Sequence, residues 1–406
     1  MLIIGTIWPE PNSTAAGSRM LQLIELFQQN GFLITFVSAA IKNDKSFPLK
    51  NLNIDTIEIQ LNNSDFDVFL KQLNPTIVLF DRFITEEQYG WRVSEICPDT
   101  IRILDTEDLH FLRYARHEAF KNNDSISLSY LINDTTKREI ASIYRCDLSL
   151  IISKYEYDLL INTFKVDESL LIYIPFLINS ISAKEIISYP SFSERAHFMT
   201  IGNFKHEPNW NSILYLKNTI WPLIKNSLPN AEMHVYGSYV TEKVAQLHDE
   251  KNDFYIKGWI ENVSEAFKNA RICLAPLQFG AGLKGKLIDA MQFGTPSITT
   301  TIGAEAMHDN LPWNGFINDD PKDFAKKAVE LYSNENKWQI AQQNGIAIIN
   351  KCYSTEKFEK LLLTTISHLI NNINDHRLNN FLGSMLMHHT LKSTKYLSKW
   401  IELKNK

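Results

Sequence analysis

No stretch of the 406-residue chain carries the ~20 consecutive apolar residues that a membrane span requires. The N-terminus opens directly on Met1-Leu2-Ile3-Ile4, without a basic region or a long apolar core, so no signal peptide is read there. Cysteine is scarce. Cys97, Cys146, Cys273 and Cys352 lie far apart and form no C-x-x-C pair, which speaks against a disulfide scaffold or a zinc site. They read instead as small apolar residues in a reducing cytoplasm. A basic excess is missing too: 41 Lys and Arg face 46 Asp and Glu, a formal net charge of −5, which argues against a nucleic-acid partner. Residues 1–30 contain no G-x-G-x-x-G after the first apolar run, which disfavours a nicotinamide dehydrogenase. A cytoplasmic protein is expected, with peripheral attachment at the inner face of the cell membrane left open.

What is present is an ordinary globular balance, 44% apolar and 21% charged, in a length that suits two domains of roughly 100–200 residues each. Short Ile- and Val-rich runs at 1–7, 32–38, 54–60, 76–81, 100–104, 148–152 and 170–174 predict strands. Amphipathic segments between them, such as 18–29 ending at Gly31, predict helices. Strand–helix alternation implies crossovers in a parallel sheet, hence an α/β domain. A polar stretch at 178–195 follows, and the pattern restarts with strands at 197–201, 232–236, 254–257, 271–275, 297–300 and 315–317. Helices are expected at 208–227, 240–248, 262–269, 283–293, 321–332 and 336–349, and a hinge near residue 185. Residues 354–406 have a helical pattern and belong to no strand unit.

The most informative segment is LQFGAGLKGKLIDAMQFGTP at 277–296, which follows a buried-type strand. Gly280, Gly282 and Gly285 surround the entry into a helix, where backbone amides and the partial positive charge of the helix N-terminus favour phosphate. Lys284 and Lys286 add full charges. Asp289, about one turn further in, is placed to accept hydrogen bonds from ribose hydroxyls. The combination suits a nucleoside diphosphate; a tight strand-to-helix turn with solvated lysines is the alternative.

This segment resembles the donor-site signature of family-4 glycosyltransferases of the GT-B fold, in the subgroup reading G-A-G-x-K-G-K, then an acidic residue, A-M, and later the G-x-P of Gly294-Thr295-Pro296. TIGNFKHEPNWN at 200–211, YIKGWI at 255–260 and Gly303-Ala304-Glu305 match further family segments in the expected order, so the resemblance covers essentially residues 1–370. It implies two Rossmann-like domains with parallel sheets facing across a cleft, plus C-terminal helices. The domains would be 1–183 on the acceptor side, 184–370 binding the donor, and a tail at 371–406 crossing back to the first. It also implies a donor site at Gly202, Asn203, Lys205, Gly280, Gly282, Leu283, Lys284 and Asp289. Two departures stand out. Many relatives carry an acid where this chain has Ala281, and an arginine where it has Asn203. Phosphate neutralisation would then fall to Lys205 and Lys284, with Lys286; Lys205 reads equally as a solvated loop residue.

In the first domain, the loop WPEPNSTAAGSR at 8–19 lies where ligands reach a parallel sheet, at the carboxyl end of a strand, and Gly17 is its candidate contact; a structural loop is the competing reading. LDTEDLHFLRYAR at 104–116 gathers Asp105, Glu107, Asp108, His110, Arg113 and Arg116 beyond another strand. By analogy with cleft histidines of the related enzymes, His110 is expected to contact donor sugar or acceptor. Asp105 or Asp108 would orient the acceptor hydroxyl or accept its proton. Arg113 and Arg116 read alternatively as helix-surface partners of the acids. Ser153 and Glu156 suggest a capping box. Asp65-Phe66-Asp67 reads as a helix start rather than a manganese site, and His388-His389 have no metal-ligand spacing on a helix.

The resemblance implies transfer of a sugar from a nucleotide-sugar to a glycan or lipid-linked acceptor, with retention of configuration and no metal or other cofactor. Two alternatives stay open: a nucleotide-sugar epimerase on the same fold, and, because of Ala281, a catalytically silent nucleotide-sugar-binding partner subunit. In the tail, Trp400, Ile401 and neighbouring leucines oppose five lysines from Lys392 onward. That pattern fits packing on the first domain or weak contact with an anionic membrane.

Overall fold

The computed structural model describes residues 1–405, apart from the side chains of residues 389–391. His389 and Leu391 of the tail pattern, and Lys406, therefore lie outside the described residues. Seven parallel strands form the first sheet: β1 (Leu2–Gly5), β2 (Thr35–Ser38), β3 (Asp55–Glu58), β4 (Ile77–Asp81), β5 (Ile101–Asp105), β6 (Leu148–Ile151) and β7 (Leu171–Tyr173), in the order β3-β2-β1-β4-β5-β6-β7. The period-2 alternation of strands sends Ile3, Leu79, Ile103 and Leu150 into one core and Leu2, Val78, Phe80 and Leu104 into the other. Both faces are thus covered by helices, which is why these strands read as continuous apolar runs. The reversal between β1 and β4 opens a crevice at the strands' carboxyl ends.

The second sheet is also all parallel: β8 (Ala196–Ile201), β9 (Met233–Tyr236), β10 (Phe254–Gly258), β11 (Ala270–Ala275), β12 (Ser297–Thr299) and β13 (Gly315–Ile317), ordered β10-β9-β8-β11-β12-β13. Its switch point lies between β8 and β11. Every strand expected from the sequence is present. The single helix expected over 208–227 is interrupted by a π-helical turn at Leu216–Ile220. Pro222, lacking an amide hydrogen, sits just beyond it, and the wider turn accommodates the missing bond.

The chain crosses between the domains twice, side by side. The Ile178 amide donates to the Tyr353 carbonyl (2.8 Å) and the Thr355 amide to the Ile178 carbonyl (3.1 Å). After the second crossing, the helix Thr355–Asn379 buries Phe358, Leu362, Ile366 and Leu369 in the first domain's core. Residues 355–370, grouped from the sequence with the second domain, therefore pack on the first. The spacing of those four apolar residues marks a buried face but not which sheet it covers. The last helix, Phe381–Asn405, continues along the same domain. Arg377, just before it, binds Asp147 through two nitrogens (2.7 and 2.8 Å) and the carbonyls of Pro98 and Thr100 (both 2.6 Å).

Candidate functional site

The carboxyl ends of β1, β4, β5, β8 and β11 face one another across a cavity of about 490 Å³. From the second domain, the chain leaves β11 at Ala275, passes the buried Leu277 and turns through Gly280 to Leu283 into the helix Gly285–Gln292. Gly282 sits at φ +64°, and a Cβ there would lie 2.8 Å from the Cβ of Asp108 in the first domain. The left-handed turn and the close approach both demand glycine. Leu283 tucks into the core beneath, and Lys284 is the N-cap, its Nζ donating to the Gly282 carbonyl at 2.6 Å. Lys286 donates to Asn209 Oδ1 (2.9 Å), and Asn209 in turn to the Asn203 carbonyl (3.0 Å), which joins the helix entry to the loop after β8. Burial pulls both lysines down to about 8 and pushes Asp289 up to about 7. Asp289 lines the cavity, and among the described residues its side chain has no hydrogen-bond partner. This wall presents cationic donors and one free carboxyl, a set that matches a diphosphate and a diol.

The opposite wall is built by the turn after β5. Asp108 lines the cavity, forms an ion pair with Arg113, and lies 3.5 Å from His110 Nε2. Burial alone would raise its pKa, but Arg113 and then His110 outweigh that and hold the carboxyl well below the usual range. Burial lowers His110 to about 4, so its imidazole is neutral at pH 7. Two buried acids hold this turn. Glu139 accepts from the His110 and Phe111 amides (3.0 and 2.9 Å), closing the N-terminus of the helix His110–Lys121. Glu156 accepts from the Leu109 amide (3.2 Å) and, across the domains, from the Gly282 amide (2.8 Å). Burial pushes Glu139 up to about 8 and Glu156 up to about 7.

The two walls are pinned together. Arg116 forms a bidentate pair with Glu305 (2.8 and 2.6 Å) and also donates to the Gly280 carbonyl (2.8 Å). Ser238 donates to the Ser13 carbonyl (3.2 Å), and the Tyr239 hydroxyl donates to Glu10 (2.8 Å).

Of the residues expected from the sequence, Asp108, His110, Gly202, Asn203, Gly280, Gly282, Leu283, Lys284 and Asp289 line this one cavity. Three do not. Asp105 is fully buried under Arg19, whose Nε and Nη2 donate to it (3.1 and 2.9 Å) while Nη1 ties down the carbonyls of Ile174 and Pro175. It knits the sheet end together and cannot reach a ligand. Gly17 is buried against the Glu10 backbone, where a Cβ would come within 2.5 Å; it is glycine for packing. Lys205 turns away onto the Tyr239 ring (4.0 Å) beside a separate small pocket. The expected capping box at Ser153 is also absent: its hydroxyl is unpartnered, and Glu156 turns to the Leu109 and Gly282 amides instead. Arg116 pairs across the domains rather than along its helix. Asp65 and Asp67 lie in the first turn of the helix Asp65–Leu73, with Asp67 bonded to Arg92.

Sequence reasoning did not find Glu139, Asn209 or Arg82. Glu139 comes from a helix with no motif, so nothing local marks it. Arg82 stands at a strand end, Asp81-Arg82, and that position was a usable signal.

Residues 195–334 match the family model described as Glycosyl transferases group 1. No curated protein matches the chain. Among solved structures, Anabaena HepE in complex with UDP-glucose is similar, with a TM-score of 0.68 and 12% identity over 91% of this chain and 100% of that one. Sucrose-phosphate synthase from Thermosynechococcus elongatus gives 0.65 and 13% over 91% and 98%. S. aureus TarM, as a mutant in complex with fondaparinux, alpha-GlcNAc-glycerol and UDP, gives 0.58 and 15% over 75% of this chain; the match spans 58% of TarM's length. The architecture is GT-B, and the glycine-rich turn lies within the matched segment.

Proposed function

We propose that the chain is a family-4-like glycosyltransferase that moves a sugar from a nucleotide-sugar to a glycan or lipid-linked acceptor, with retention and without a metal. The observation that carries this reading is the pairing of walls: a lysine-bearing helix N-terminus with the free Asp289 faces Asp108 and the neutral His110 across one cavity. The helix amides with Lys284 and Lys286 would stabilise the diphosphate as the bond from C1 to its oxygen breaks. Asp289 would take the ribose hydroxyls. His110 and Asp108 would meet the sugar and the acceptor oxygen that forms the new bond to C1. With Ala281 in place of an acid, a carboxylate still approaches this turn from the other domain, where Asp108 packs against Gly282. The UDP-glucose bound to HepE and the UDP bound to TarM favour trying uridine donors first.

A thermal-shift panel of nucleotide-sugars tests the donor, because a ligand selective for the folded state raises apparent stability. Transfer to an added glycoside supports the enzyme; interconversion of the free nucleotide-sugar would make it an epimerase. Binding with neither reaction would make it a silent partner.

A membrane role has its own support. No helix among the described residues is long and apolar enough to cross a membrane. The last helix nevertheless leaves Phe381, Leu382, Met385, Tyr396, Leu397, Trp400 and Leu403 exposed, with Lys392, Lys399 and Lys404 beside them. Such a face suits an anionic bilayer surface carrying a lipid-linked acceptor. Sedimentation with anionic vesicles at low salt should retain the full chain and release a form ending near residue 383. Equal, negligible binding by both would end this part of the reading.

A further inference from the structure

Two bulky residues hold left-handed backbone on neighbouring strand ends. Arg82, directly after β4, has φ +70°, and Glu107, two residues after β5, has φ +61°. Asparagine and aspartate, which tolerate this conformation best, take half of the left-handed non-glycine positions among the described residues; Arg82 and Glu107 are two of the others. Both line the cavity, on the first-domain wall beside Asp108. Such strain persists only where the surrounding structure enforces it, and it concentrates where a side chain must be aimed.

Among the described residues, neither side chain makes a hydrogen bond. Glu107 is 7% exposed, has no hydrogen bond, and its Oε1 is buried without a partner. Arg82 makes no hydrogen bond; its nearest acid oxygen is Asp81 Oδ2 at 3.6 Å. By contrast, the Asp105 and Asp108 carboxyls are engaged by Arg19 and Arg113; Asp81 takes the Thr6 amide on Oδ2 (2.9 Å), while its Oδ1 is buried without a hydrogen bond. A buried carboxyl without a partner costs stability unless a ligand completes it.

We propose that Arg82 and Glu107 form an acceptor subsite that grips adjacent hydroxyls of a neutral sugar, the carboxyl taking one O–H and the guanidinium donating to the next oxygen. This rests on the glycosyltransferase reading and adds the residues and chemical class of its acceptor side. The neutral class follows from charge: each arginine of this wall already faces a carboxylate, Arg82 that of Asp81, Arg19 that of Asp105 and Arg113 that of Asp108. Burial, followed by the Asp105 charge, pushes Glu107 up to about 8, so at pH 7 the carboxyl can act as donor or acceptor toward a hydroxyl. Ile84, also in the lining and two residues after Arg82, supplies an apolar surface for the ring. Arg82 and Glu107 are positioning residues for the acceptor and lie apart from the diphosphate wall.

The test compares wild type with Glu107→Gly, Glu107→Gln and Arg82→Gly, using UDP-glucose, UDP-GlcNAc and other common nucleotide-sugars with methyl and nitrophenyl glycosides of neutral hexoses. The glycine variants relieve the left-handed strain, so both should melt at or above the wild-type temperature. Acceptor KM should rise at least about tenfold, kcat should fall less, and the dissociation constant for UDP should stay within about twofold. Glycine variants that melt lower would make the strained turns a packing feature and overturn the subsite. So would an unchanged acceptor KM in a wild type that transfers sugar, and so would a wild type that accepts only phosphorylated or carboxylated glycosides. A wild type that binds no nucleotide-sugar would bring down the glycosyltransferase reading itself, a distinguishable result.

Discussion

Asp289 offers the sharpest test of the donor wall. Its carboxyl faces the cavity without a hydrogen bond, and burial alone pushes it up from 3.8 to about 7. If ribose hydroxyls bind the ionised form, affinity should be level above about pH 8 and fall by up to tenfold for each pH unit below about 7. At about pH 5 only about 1% of the unliganded carboxyl is ionised, so binding should be about 100-fold weaker, or about 2.7 kcal/mol. Titration calorimetry with a nucleotide-sugar measures this cleanly, because its diphosphate is esterified at both ends and does not itself titrate over this range. Glu156 at about 7 and Lys284 and Lys286 at about 8 also titrate in the site, so Asp289→Asn is the necessary partner experiment. That variant should bind less tightly at pH 8, by roughly 1.5–3 kcal/mol for a lost charge-assisted bond, and lose most of the slope. Stability should move the other way. With its folded pKa above the unfolded value, Asp289 binds its proton more strongly when folded. Its effect therefore lowers stability as pH rises from about 4 through about 7, and Asp289→Asn should unfold at higher denaturant than wild type at pH 8. An unchanged pH slope in the variant would refute the reasoning and remove Asp289 from the nucleotide.

Lys284→Ala should weaken nucleotide-sugar binding by roughly 1.5–3 kcal/mol, and unchanged calorimetric affinity would take Lys284 out of the site. His110→Ala should lower kcat on the order of 100-fold while changing donor affinity little, since it comes from the opposite domain. A folded variant with near-normal kcat would leave His110 a structural residue. Arg116→Ala strands Glu305 at the domain contact; because Glu305 keeps 17% side-chain exposure, the loss should fall near the low end, about 3 kcal/mol. Chemical denaturation together with small-angle scattering checks it: a stable, equally compact variant would show that the clamp does not hold the domains closed.

Much of this protein was legible without coordinates. The strands follow from short β-branched runs, because a strand buried on both faces leaves only apolar residues to read. The turn at 280–286 was legible because close approach of backbone to a ligand and entry into a helix both select glycine, and the lysines stand beside it in sequence. Tertiary structure decided the rest, as the run Asp105-Thr106-Glu107-Asp108 illustrates. In sequence its three acids stand together, and Asp105 and Asp108 are equal candidates for the acceptor. In the fold Asp105 ends a strand under Arg19, brought from 86 residues away, and is silenced. Left-handed backbone at Glu107 turns the chain so that its carboxyl faces the cavity without a partner, while Asp108 meets Arg113 and Gly282 of the other domain. Glu156, a local helix cap by its spacing, reaches the Gly282 amide 126 residues on. A residue type sets which charges and bonds are possible. Which carboxyl is paired, and which is left for a ligand, depends on groups that only folding brings within about 3 Å, and no local spacing encodes them.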